Sequence, residues 1–115
     1  DREVKAMSPM FLGGLTARAV KLKVHQEIAG VFFFESYPRA LVDELSKNNP
    51  KLQDHYKKDI IKFTDEIVSG FSLKLKNAPQ NWHQLDALLA YLIGQRFTAS
   101  KSKVFGDPDE GLIYV

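Results

Sequence analysis

Ala29-Gly30-Val31-Phe32-Phe33-Phe34-Glu35-Ser36-Tyr37-Pro38 is the stretch on which the reading of this chain turns. Residues 29–34 carry no charge, and β-branched and aromatic side chains dominate them. The run starts at a glycine and is halted by a proline. That pattern predicts a strand buried on both faces. Glu35 then stands at the C-terminal lip of the strand, where open α/β sheets place their sites. A second acid, Asp86, falls inside the apolar stripe of a later helix. Two acids in places that disfavour charge point to a cation, or a reacting group, between them.

Upstream, Asp1 to Met7 reads as a helical turn or the tail of a helix. Ser8-Pro9-Met10-Phe11-Leu12-Gly13-Gly14 breaks it, because proline and paired glycines punctuate structure. Residues 15–29 follow as a helix, with Leu15, Ala19, Leu22 and Ala29 to one side and Gly30 as its stop. Downstream, Pro38 opens a short helix over 38–46, its backbone angle suiting a first helical position. After the loop Lys47-Asn48-Asn49-Pro50, the series Leu52, Tyr56, Ile60, Phe63, Ile67 predicts one amphipathic helix over 51–69. Its other side, with Asp54, Lys58, Lys62 and Asp65, reads as solvated. Residues 71–76 alternate like a short edge strand, and 77–80 form a loop. Asn81 is a good N-cap with Gln84 three residues on, and a helix over 82–98 follows. The turn-rich segment Gly106 to Gly111 leads to a final strand at Leu112 to Val115.

Within 82–98 a step of about 100° per residue gathers Trp82, Leu85, Leu88, Leu89, Leu92, Ile93 and Phe97 on one arc. Asp86 falls within it. Burying an unpaired carboxylate costs several kcal/mol, on the order of a domain's net stability. A neutralising partner is therefore expected: a metal ion, an arginine, a lysine or a bound proton. The plainer reading is an acid near a helix start, favoured by the dipole and turned sideways to water. Glu35 has a plain reading too, exposed or paired with Arg39 or Arg96. His83, three residues before Asp86, is within hydrogen-bonding reach of it, and its plainer reading is an exposed histidine at the helix start. Lys74, Lys76, Lys101 and Lys103 suit phosphate contacts or ordinary solvation.

The totals bound the answer. The chain has 115 residues, 44% of them apolar and 26% charged, enough for one small domain with one core. A formal net charge of +2 neither announces nor excludes nucleic-acid binding. With no cysteine, disulfides and thiolate metal sites are excluded, which fits a reducing, cytoplasmic setting. No apolar run approaches the roughly 18 residues needed to span a bilayer, and the first residues lack the basic-then-apolar layout expected of a secretory signal. Because it begins at Asp1, a processed product or a piece of something longer is expected.

Several segments resemble one family. Phe34-Glu35-Ser36-Tyr37-Pro38 resembles the Glu-x-Tyr-Pro strand end of the domain-of-unknown-function family numbered 429. Leu85-Asp86-Ala87-Leu88-Leu89-Ala90 is similar to its Asp-Ala-rich final helix. Gly106-Asp107-Pro108-Asp109-Glu110-Gly111-Leu112-Ile113-Tyr114 resembles its closing segment, and Asp1-Arg2-Glu3 its Asp-Arg-Glu. The resemblance implies an RNase H-like α/β fold and a predicted nuclease activity on DNA or RNA. It implies that Glu35 and Asp86, with Asp1 as a weaker candidate, belong to a cluster of acids around Mg²⁺ or Mn²⁺. Family members are roughly twice as long, and this chain matches their C-terminal half. Acids on their first and fourth strands have no counterpart here.

Phosphodiester hydrolysis needs an activated water and a stabilised leaving oxygen, which two Mg²⁺ ions roughly 4 Å apart supply. Mg²⁺ prefers oxygen ligands, and two carboxylates meet part of that demand. The expected fold is therefore α/β, the C-terminal half of an RNase H-like domain, with a buried central strand flanked by helices and a terminal strand. Its expected function is a metal-dependent nuclease, incomplete as this chain. The alternative is a non-catalytic binding or assembly module that self-associates through uncovered strand edges and an apolar face. Acid–base chemistry on a sugar, with Trp82 and Tyr37 as platforms, is a third reading.

Overall fold

Pro38 and Asn81 anchor two helices at the residues that local chemistry predicts. A computed structural model describes the backbone of residues 9–109 and 111–115, and the side chains of 18–109 and 111–115. Along the chain run α1 (Pro9–Ile28), β1 (Glu35–Ser36), α2 (Pro38–Ser46), α3 (Lys51–His55), α4 (Ile60–Gly70), α5 (Trp82–Thr98), β2 (Val104–Asp107) and β3 (Gly111–Tyr114). Among the described residues, five helices thus accompany one three-stranded mixed sheet of order β1-β3-β2. The class is α/β.

In α2, Pro38 takes the first turn, where its missing N–H costs nothing, and Ala40, Leu41 and Val42 are buried. In α5, Asn81 accepts a hydrogen bond from the Gln84 backbone N–H at 3.0 Å, and the Gln84 side chain accepts from Gln80 N–H at 2.7 Å. This is a capping box displaced by one residue at its return bond. Leu85, Leu89, Leu92 and Ile93 of α5 are buried against Leu41, Val42, Leu52, Phe63, Ile67, Ile113 and Val115.

The buried central strand is β3, not residues 31–34. β3 pairs parallel to β1, with Glu35 opposite Ile113, and antiparallel to β2, with Phe105 opposite Ile113. Ile113 and Val115 are sealed in the core, whereas Phe32 is 68% exposed. Residues 31–34 take no strand partner, so the phenylalanine run is held by ring contacts and only Glu35 and Ser36 reach the ladder.

Three more expectations are corrected. The helix expected over 15–29 begins at Pro9, so the proline opens the helix and Gly13 and Gly14 lie within it. The helix expected over 51–69 is two helices. Tyr56 is extended, Lys57 adopts φ +61°, and Asp59 caps the second piece by accepting from Lys62 N–H at 3.1 Å. Apolar periodicity misses the break because Leu52, Tyr56, Phe63 and Ile67 face the core on both sides of it. Residues 71–76 form no strand. The chain turns at Ser72 (φ +51°), closing α4 through Leu73 N–H to Val68 O.

The sheet's hairpin includes β2, whose last two residues, Gly106 and Asp107, belong to the segment expected as a turn-rich loop. Gly106 has φ +98°, and a Cβ there would lie 2.6 Å from the Gly111 carbonyl oxygen. Glycine is what lets the two strands of the hairpin approach. The expectation for Asp1 to Met7 lies outside the described residues.

Candidate functional site

Asp86 sits on the rim of the buried face of α5, with its side chain 31% exposed. Two residues from the α3–α4 corner close on it. Tyr56 donates its phenolic hydrogen to Asp86 Oδ1 at 3.0 Å, and Lys57 Nζ lies 2.8 Å from Oδ2. The break in the helix makes this possible. Tyr56 and Lys57 are adjacent, and a continuing helix would splay their side chains by about 100°. The extended Tyr56 followed by a left-handed Lys57 brings both polar ends to one carboxylate. Among the neutralising partners expected for Asp86, a lysine is the one found.

The surroundings are aromatic. Lys57 Nζ lies 5.1 Å from the centre of the Tyr56 ring and 5.3 Å from that of Trp82, both within cation–π range. The two rings meet edge to face, with centroids 5.7 Å apart and planes at 85°. Each also packs on Phe63, which is fully buried, so the walls are extensions of the core. Burial, and then the hydrogen bond to Asp86, raise the Tyr56 hydroxyl far above the ordinary phenol range. It stays protonated and donating at any ordinary pH. Arg39 lies over Tyr56 as well, its guanidinium carbon 5.4 Å from the ring centre, and pairs with Asp43 at 3.0 Å.

Glu35 is placed elsewhere. Its neighbour Phe34 stacks on Phe97 with centroids 4.4 Å apart and meets Tyr114 edge-on at 5.3 Å. Phe97 lies eleven residues beyond Asp86 on α5, a rise of about 16 Å. Among the described residues, Glu35 and Asp86 share no hydrogen-bond or ion-pair partner: Asp86 is held by Tyr56 and Lys57, and the ring beside Glu35 packs on Phe97. Glu35 is exposed and, among the described residues, enters no ion pair; Arg39 is engaged by Asp43. His83 is exposed. Asp1 lies outside the described residues. Among the described residues, no group of three or more His, Asp or Glu side chains is arranged to hold a metal ion. An ammonium in contact with Asp86 and aromatic faces beside it make a donor set unlike that of Mg²⁺, which needs an octahedron of oxygens.

The residues that sequence reading missed are Tyr56 and Lys57. Apolar periodicity places Tyr56 in the core, where its ring does lie, and gives Lys57 no role. The signal available was the run Lys57-Lys58-Asp59, which interrupts an apolar series just before a good N-cap residue.

A surface feature lies at the far end of α5. Phe32 stacks on Phe97 at 5.7 Å while remaining largely exposed. Val20, Val24, Ile28 and Val31 are exposed as well. Among the described residues, no helix is long and apolar enough to cross a membrane. Comparison with protein-family models, with curated proteins and with solved structures finds no match.

Proposed function

We propose that this chain is a non-catalytic binding or assembly module, and that it self-associates through the segment running from α1 into β1. One observation carries the reading. From residue 38 onward most large apolar side chains close around the chain's own core, whereas Val20, Val24, Ile28, Val31 and Phe32 stand in solvent. Ile28 is 83% exposed. Val20, Val24 and Ile28 recur every four residues, which aligns them along one side of α1. Past the turn that ends α1, Phe32 is exposed too and stacks on Phe97. Large apolar side chains exposed together in one stretch of chain suit an interaction site.

A second copy is the partner that suits the place. β1 forms the edge of the sheet, paired on one side with β3. The free edge and the apolar stripe lie in the same stretch of chain, and two copies related by a twofold axis satisfy both at once.

The nuclease reading implied by the family resemblance has less support in the geometry. Asp86 is already neutralised by Lys57, and no partner joins it to Glu35 among the described residues. Nucleic acid as a partner, and Mg²⁺ or Mn²⁺ as cofactor, rest on the resemblance alone.

Size-exclusion chromatography with light scattering tests the proposal. The intact chain is expected to run as a dimer or larger. Ile28→Asp with Phe32→Glu is expected to run as a monomer with unchanged circular dichroism. A monodisperse monomer for the intact chain, across concentration, overturns the reading. A rise in melting temperature with Mn²⁺ that Glu35→Gln abolishes would return support to the nuclease.

A further inference from the structure

We propose that Tyr56, Trp82 and Asp86 form a cage for an organic ammonium ion, filled in the free chain by the side chain of Lys57 and open to a methylated ammonium when Lys57 withdraws. This goes beyond self-association and involves a different surface.

The cage has the parts such recognition needs. Two aromatic faces stand nearly at right angles, each 5.1–5.3 Å from the bound nitrogen, and a carboxylate closes a third side at 2.8 Å. Aromatic faces attract a cation through their quadrupole and offer it no lone pair. They therefore favour a bulky, weakly hydrated cation over Mg²⁺, which gives up its water reluctantly.

The walls are preformed and the occupant is not deeply held. Tyr56 is buried, fixed by its hydrogen bond to Asp86, and both rings rest on Phe63. Lys57 is 43% exposed along its side chain and sits at φ +61°, a conformation that L residues rarely adopt. Its primary ammonium is compact and strongly hydrated, so it sacrifices more water in the cage than a methylated ammonium does. A resident lysine lowers the apparent affinity for any competitor by the fraction of time the cage is free.

Trp82 is the chain's single tryptophan, so its fluorescence reports on the cage. Tetramethylammonium chloride is titrated against sodium chloride of equal strength. Lys57→Ala is expected to show saturable quenching at least about tenfold tighter than the intact chain, since self-occupancy is removed. Adding Asp86→Asn to that variant is expected to weaken binding about tenfold, as loss of a charged partner does. Choline and free Nε-trimethyllysine then distinguish the two common sources of the group, and binding of either supports the cage. A folded Lys57→Ala with no response beyond the salt control overturns the proposal, as does a response that Asp86→Asn leaves unchanged. If Lys57→Ala does not fold, Lys57→Gly carries the same titration. Loss of fold in both makes Lys57 a structural staple and overturns the proposal equally.

Discussion

Lys57 reaches across 29 residues of sequence to place its ammonium 2.8 Å from the Asp86 carboxylate. The contact pins the α3–α4 corner to the first turns of α5, and it rests on a lysine in a left-handed backbone conformation. Both facts have measurable consequences.

Lys57→Gly and Lys57→Ala delete the same ammonium but differ in backbone preference. At φ +61° glycine is relaxed, whereas alanine keeps the strain of about 1 kcal/mol. The glycine variant is expected to be the more stable of the two by roughly that amount, read from urea midpoints. Equal midpoints would mean that residue 57 leaves the left-handed region in solution.

The ion pair itself is partly exposed, 43% on the lysine and 31% on the aspartate. A double-mutant cycle of Lys57→Met with Asp86→Asn is therefore expected to give a coupling of no more than about 1 kcal/mol. Asp86→Ala alone is expected to cost more, about 1–2 kcal/mol, because it also strands the buried-side hydroxyl of Tyr56. Chemical denaturation of the four proteins checks both statements.

Gly106→Ala is expected to destabilise the fold by about 2 kcal/mol or more. The new methyl would meet the Gly111 carbonyl oxygen at 2.6 Å, and φ +98° is unfavourable for alanine in any case. The measurement is thermal unfolding. A loss confined to a few tenths of a kcal/mol would show that the β2–β3 hairpin can open without cost.

Glu44 accepts hydrogen bonds from Lys103 and Lys47, which hold its carboxyl at about 2, below the ordinary 4.5. A depressed folded-state value stabilises the fold above the unfolded value. That contribution is present in full above about pH 4.5 and is lost as pH falls toward 2. The lysines extend into solvent, so the effect is discounted to under about 1 kcal/mol. Glu44→Gln is expected to flatten the decline in melting temperature over that acid range and to change little near neutrality. An unchanged acid slope would assign the decline to other carboxylates.

Asn81→Ala and Asp59→Ala each remove an N-cap acceptor, from α5 and α4 respectively. Each is expected to cost about 1 kcal/mol. The caps share no partner, so the double variant is expected to lose the sum to within about 0.5 kcal/mol, measured by urea unfolding.

Much of this molecule is written in neighbouring residues. Pro38 and Asn81 start their helices, Gly30 ends one at φ +80°, and the arc of Leu85, Leu89, Leu92 and Ile93 faces inward. These outcomes follow from caps, turn angles and helical periodicity, which act within a few residues and need no partner from afar. The burial of β3, the slight pairing of β1, and the meeting of Tyr56 and Lys57 with Asp86 are of another kind. An apolar run such as 31–34 looks like a central strand until it is known which strand takes the ladder, and β3 takes it. An acid in an apolar arc signals that positive charge is required. That the charge comes from Lys57 depends on a helix break and on elements about thirty residues apart being folded together.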